Sequence, residues 1–257
     1  MNASPKISPV RLLLGRIFFV YAALLFVVTM LLVVIPVLLT KLLPEPRNTV
    51  ALHRIFRVWM GVYLPLVFCP VRRRGGEHFR KGENYVVVCN HNSFLDVPVT
   101  SPWIPGANKT LAKIEISRVP IFGIIYTAGS ILVDRKSEQS RKESFSKMEA
   151  ALQMGLHLCL YPEGTRNKGG APLQPFQKGA FITAIRTQKP IMPAVLSNTA
   201  RILPGKPSFY AWPSPIDFHF LPPTGTTGLA LENASELSAK IHAQMLEHIV
   251  RHNLHGA

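Results

Sequence analysis

Within the stretch CNHNSFLDVP, His91 and Asp96 are separated by four residues and directly follow the apolar run Tyr85–Cys89. A neutral imidazole can take a proton from an attacking hydroxyl, and a nearby carboxylate can fix its tautomer and stabilise the imidazolium that forms. Spacing alone does not make the pair, because His78 with Glu83 and His242 with Glu247 repeat it. What sets His91 apart is its company. Lys109 and Lys113 lie in KTLAK, Asp134 and Arg135 end GSILVDR, and Glu163, Gly164, Thr165 and Arg166 follow the apolar run that ends at Tyr161. Arginine presents a planar fork of donors suited to phosphate oxygens, and lysine adds a point charge. Glu163 beside Arg166 is placed to hold a guanidinium, and Gly164 permits close approach of the backbone. Together they suggest a hydroxyl of a phosphorylated molecule attacking an electrophile.

The elements that must position these residues alternate. Apolar runs bounded by turn residues predict strands at Tyr85–Cys89, Ser130–Val133, Leu156–Tyr161, Ile191–Leu196 and Phe209–Trp212. Helical spacing predicts helices over Glu138–Met154 and Lys178–Thr187. A C-terminal amphipathic helix carries Leu237, Ile241, Met245, Leu246, Ile249 and Val250 as its apolar stripe, with Asn233 and Glu236 as a capping box. This helix should pack on the sheet, which makes its His242–Glu247 pair accidental. The fold class is α/β: a mixed, largely parallel sheet flanked by helices, where sites form at the carboxyl ends of strands. Four clusters can then converge on one crevice.

The front of the chain is different. Ile17 to Thr40 contains no charge, and about 20 such residues cross a bilayer core. Arg11 and Arg16 precede it, while Lys41, Arg47, Arg54 and Arg57 follow, so charge does not fix its orientation. It either spans the membrane or enters one leaflet and returns, with Pro36 as a bend. No small-residue cleavage site follows, which argues against a signal peptide. A second apolar piece, Val58–Pro70, is too short to span. It is either an interfacial helix or the first buried element of the following domain. The expected division is residues 1–70 as membrane-anchoring helices and residues 71–257 as the catalytic domain.

With 29 Lys and Arg against 14 Asp and Glu, the net charge of +15 calls for a polyanionic neighbour. Arg72, Arg73 and Arg74 beside the apolar pieces favour an anionic leaflet, and no nucleic-acid motif is present. Three scattered cysteines without a CxxC point to reduced, buried thiols and to no metal site.

These blocks, in this order, resemble the glycerolipid acyltransferase family that includes the 1-acyl-glycerol-3-phosphate acyltransferases. Its N-H-x4-D block matches Asn90, His91 and Asp96. Its G-x-x-[FY]-[IV]-x-R block matches Gly129, Val133 and Arg135, with Leu132 in place of the aromatic. Its [FV]-P-E-G-T-R-S block matches Pro162 to Arg166, with Tyr161 and Asn167 as departures, and its short proline-bearing strand matches Ile191–Val195. The resemblance covers roughly residues 55–220. It implies a membrane-bound O-acyltransferase that uses no cofactor and moves a fatty acyl group from acyl-CoA or acyl carrier protein to the sn-2 hydroxyl of lysophosphatidic acid, giving phosphatidic acid. It also implies His91 as general base, Asp96 as its orienter, and Lys113, Arg135 and Arg166 as holders of the acceptor phosphate. Glu163, Gly164 and Thr165 would complete the substrate site. No G-x-S-x-G is present, so no covalent acyl-enzyme is expected. The setting it implies is a bacterial inner membrane with the catalytic domain on the cytoplasmic face.

Two other readings stand beside it: the same chemistry on glycerol 3-phosphate or a lyso-aminolipid, and a non-catalytic adaptor for anionic membranes.

Overall fold

A computed structural model describes residues 7–169 and 171–254. Two helices open the chain, α1 (Pro9–Thr40) and α2 (Arg47–Leu66). Seven strands follow: β1 (Val71–Arg74), β2 (Val86–Cys89), β3 (Asn108–Lys113), β4 (Ser130–Val133), β5 (His157–Leu160), β6 (Ile191–Ser197) and β7 (Ile216–Phe220). Helices α3 (Asp96–Trp103), α4 (Phe122–Ala128), α5 (Glu138–Gln153), α6 (Gly179–Thr187), α7 (Thr199–Ile202) and α8 (Ala234–Arg251) fill the connections and the C-terminus.

All seven strands form one sheet in the order β1-β7-β6-β2-β5-β3-β4. Every pairing is parallel except β6 with β7. The central strands are apolar throughout because helices cover both faces. Alternation sorts their side chains. Tyr85, Val87, Cys89, Cys159, Met192 and Ala194 join one core with α1, α2 and residues of α3 and α4. Val86, Val88, Leu158, Ile191 and Val195 join the other, beneath α5, α6 and α8.

Several expectations change. Phe209–Trp212 is not a strand: Phe209 has φ 54° and Pro207 and Pro213 flank the segment, so its aromatic content imitates a strand without the backbone for one. The strand of that region is β7, a few residues on. β1 and β3 escape the apolar-run rule because their residues, VRRR and NKTLAK, are largely polar. Pro36 bends no return, since α1 runs through it and the chain turns at residues 41–46. The second apolar piece belongs to the longer helix α2, which packs on α1 and also contributes Leu52, Met60 and Leu64 to the core. Asn233 does not cap α8 through its side chain. Its Oδ1 instead accepts from the Ala230 N–H at 2.9 Å, closing the preceding turn.

Helix α1 is docked along one side rather than free. Gly15 lets Tyr210 pack against the helix, where a Cβ would overlap the ring. The Ala211 N–H donates to the Gly15 carbonyl at 3.2 Å, and the Tyr63 hydroxyl donates to the Ala22 carbonyl at 3.1 Å. Further along, Met30 and Val37 are buried. The other side, including Leu13, Ile17, Leu24, Leu31, Leu32 and Ile35, is exposed.

Candidate active site

Strands β2, β5, β3 and β4 are parallel neighbours, so the residues after them gather along one edge of the sheet. His91 follows β2, Glu163 to Arg166 follow β5, Lys113 ends β3 and Arg135 follows β4. β6 runs the same way and delivers Thr199 to this edge.

Asp96 is fully buried. Its Oδ2 accepts the backbone N–H groups of Asn92 and Ser93 at 2.7 and 2.8 Å and lies 2.7 Å from His91 Nδ1. An oxygen already accepting two N–H groups makes the ring nitrogen the donor, so Nδ1 carries the proton and Nε2 presents its lone pair. Oδ1 accepts from the Thr199 hydroxyl at 2.5 Å. The carboxylate is thus fixed from both oxygens, while the His91 side chain keeps 20% exposure.

The backbone of His91 is held as firmly. Its N–H donates to Glu163 Oε1 at 2.7 Å, and its carbonyl accepts from the Asn167 N–H at 2.6 Å. Glu163 Oε2 accepts from the Gln174 N–H at 3.0 Å. Burial pushes the Glu163 carboxyl above its ordinary pKa, and the two N–H bonds oppose that rise. The Tyr161 ring lies against the imidazole, centroids 4.4 Å apart, and its hydroxyl pairs with Thr100 Oγ1 at 2.6 Å. Burial raises the Tyr161 phenol well above its usual pKa, so the ring remains a neutral wall. Asn90 ties the end of β2 to β6 by bonding both the N–H and the carbonyl of Leu196.

One expected contact is absent. Glu163 does not hold Arg166, because both its oxygens serve the backbone. The Arg166 guanidinium instead lies over the Phe94 ring, 3.5 Å from its centroid. Arg135 donates to the Gly164 carbonyl. Gly164 has φ +74°, a conformation that side chains rarely adopt, and this turns the loop so that its carbonyl meets Arg135. Asp134 makes no ion pair with its neighbour and accepts the Lys136 N–H instead. Among the described residues Lys113, Arg135 and Arg166 have no carboxylate partner, and Thr165 is exposed without a hydrogen bond. Lys109 is spent elsewhere: it pairs with Glu45 at 2.6 Å and pins the α1–α2 turn to β3.

The arrangement therefore offers a base with an open lone pair on the same sheet edge as three cations that have no carboxylate partner among the described residues. No group of His, Cys, Asp and Glu among the described residues could hold a metal ion. An apolar cavity of about 330 Å³ begins at Phe94, Leu95 and Pro98 and extends between α1, α2 and the residues of α7, where Ala22, Ala23 and Leu203 line it.

Thr199, Gln174 and Tyr161 are contacts of the candidate site that sequence reasoning missed. Only Tyr161 carried a signal, as a departure within its block.

A family model described as Acyltransferase matches residues 70–197, from the start of β1 to the end of β6. The chain belongs to that family. It is 33% identical over 178 residues to 1-acyl-sn-glycerol-3-phosphate acyltransferase alpha of Mus musculus, covering 68% of this chain and 62% of the relative. Against the 1-acyl-sn-glycerol-3-phosphate acyltransferase of Cocos nucifera, identity is 34% over 166 residues, 64% of this chain and 53% of the relative. The chain thus spans less than two thirds of these family members' lengths. The crystal structure of the 1-acyl-sn-glycerophosphate (LPA) acyltransferase PlsC from Thermotoga maritima superposes with a TM-score of 0.74, over 93% of this chain and 96% of that one, at 19% identity. That likeness establishes a shared fold.

Proposed function

We propose that the protein is a membrane-bound O-acyltransferase that moves a fatty acyl group from a thioester of coenzyme A or acyl carrier protein to the sn-2 hydroxyl of 1-acyl-glycerol-3-phosphate. The observation that carries this reading is His91: its Nδ1 is committed to a buried, fully bonded Asp96, and Lys113, Arg135 and Arg166 stand at the same strand ends with no carboxylate partner among the described residues. The names of its relatives, all acting on the same acceptor class, agree with it.

In this mechanism the acceptor phosphate docks on Arg135, Arg166 and Lys113, with Glu163, Gly164 and Thr165 shaping the loop around it. The acceptor hydroxyl gives its proton to His91 Nε2 as its oxygen bonds to the thioester carbonyl carbon. Asp96 stabilises the imidazolium. The tetrahedral intermediate collapses, the C–S bond breaks, and the imidazolium returns the proton to the leaving thiolate. An acyl chain occupies the cavity beginning at Phe94 and Leu95. Holding both reactants together supplies several kcal/mol of the barrier.

Helix α1 sits in one leaflet in this reading. It is long and apolar enough to cross a bilayer, yet one side of it contacts the rest of the protein from Gly15 to Val37. A docked side of that length suits a helix embedded beside its domain better than one crossing away from it. Thioester donors and three free, buried cysteines suit the cytoplasmic face of a bacterial inner membrane.

The test is acyl transfer by detergent-purified protein, wild type beside His91→Ala, with a labelled acyl thioester. Lysophosphatidic acid, glycerol 3-phosphate and a phosphate-free lysolipid are offered in parallel. Phosphatidic acid from wild type alone is expected. Transfer only to the phosphate-free acceptor would overturn the phosphate role of Arg135 and Arg166, and equal activity in His91→Ala would remove the base.

A further inference from the structure

Two phenylalanines adopt a backbone conformation that bulky side chains avoid. Phe68 has φ 55° and Phe209 has φ 54°. Both point outward, 66% and 73% exposed. A strained backbone that delivers an apolar ring to the surface needs a surrounding that accepts the ring. Neither ring lies on α1, yet both flank it. The Phe209 ring meets Phe19 of α1 edge-on at 5.8 Å. Phe68 follows α2, whose Leu66 carbonyl accepts from the Tyr21 hydroxyl of α1 at 3.0 Å.

The segment between α7 and β7, LPGKPSFYAWPSP, carries Phe209, Tyr210 and Trp212 with Lys206 and no carboxylate. Arg11 of α1 lies over the Trp212 ring at 4.8 Å, and Arg201 is exposed nearby in sequence. Aromatic residues beside cations suit the headgroup level of an anionic bilayer, whose surface charge attracts each near-surface cation.

We infer that Phe68 and the loop carrying Phe209 are a second, non-helical membrane contact, inserting the Phe68 and Phe209 rings into the leaflet that holds α1 and fixing how the protein sits in it, while Tyr210 anchors the loop against Gly15. The occupant of this surface is an anionic lipid bilayer. Continuity with the exposed side of α1 and the unopposed positive charge select it. The inference rests on the proposed embedding of α1, and its test separates the two.

Single cysteines at Leu24 (on α1), Phe209 and Lys240 (on α8, exposed) would carry an environment-sensitive fluorophore, the three native thiols being buried. The protein is reconstituted with phosphatidylcholine–phosphatidylglycerol vesicles containing spin-labelled acyl chains. Quenching is expected at Leu24 and Phe209 and not at Lys240. Quenching at Leu24 without quenching at Phe209 would overturn the second contact and leave α1 embedded. No quenching at either would overturn both. A Phe68→Gly, Phe209→Gly variant removes both rings while keeping the left-handed backbone open. It should melt no lower than wild type in detergent and move between vesicle populations about tenfold faster or more, since the apolar area of both rings no longer enters the leaflet. An unchanged transfer rate would also overturn the inference.

Discussion

The two faces of the sheet are built differently. Beneath α5, α6 and α8, residues such as Phe181, Ile191, Val195, Ile241 and Met245 are almost wholly buried and interlock. On the other face, α1, α2 and α3 leave an apolar cavity of about 330 Å³ that begins beside the His91–Asp96 segment. A sheet of this kind needs one filled side to be stable, and that frees the other to remain partly hollow. The cavity and the most tightly filled core thus lie on opposite faces of a single sheet.

The sharpest way to break this division is at its open edge. His91→Ala should lower acyl transfer by about a thousandfold or more with unchanged melting, measured by product formation and calorimetry. On the filled face, Ile241→Ala should cost about 2–5 kcal/mol of stability by denaturant unfolding and leave acyl-chain preference unchanged. A shift in preference there would mean that the faces are not independent. Arg166→Ala should raise KM for a phosphorylated acceptor about 10- to 100-fold, consistent with loss of one or two charge-assisted hydrogen bonds, and leave a phosphate-free acceptor unaffected.

Two smaller effects sharpen the contrast. His53 and His157 lie deep in the protein, and burial holds both down to about pKa 4. Each binds a proton more readily unfolded than folded. Their stabilising contribution is therefore intact above about pH 6.5 and is lost as pH falls toward 4, on the order of a few kcal/mol in all. A melting profile flat across that window would contradict it. Last, Ala23→Phe fills part of the cavity. It should shift selection toward shorter acyl chains by several-fold in competition assays, with little change in melting.

What the sequence disclosed follows from where each constraint lies. β2 and β5 are short and buried on both sides, so their apolar runs stand out. β1 and β3 are held in the same sheet by backbone bonds, and their arginines, lysines and threonine conceal them. Likewise His91 and Asp96 are close in the chain and legible as a pair. Thr199 reaches the same carboxylate from 103 residues away, and Gln174 secures Glu163 from 11. Partners that meet only through strand order leave no spacing to read. The expected Glu163–Arg166 pair failed for the opposite reason: two residues close in the chain had each been claimed by something else, one by backbone N–H groups and one by an aromatic ring.

The strand order also bears on synthesis. β1 pairs only with β7, and β2 only with β5 and β6. When the ribosome has released β2, no sheet neighbour for it yet exists, whereas α1 has been complete since Thr40. Helix α1, long and apolar enough to cross a bilayer, is therefore complete long before His91 has a strand beside it. On the proposed embedding, the growing chain would meet its lipid surface as an unfinished, inactive domain, and the surroundings of His91 would be assembled only after β5 and β6 had emerged.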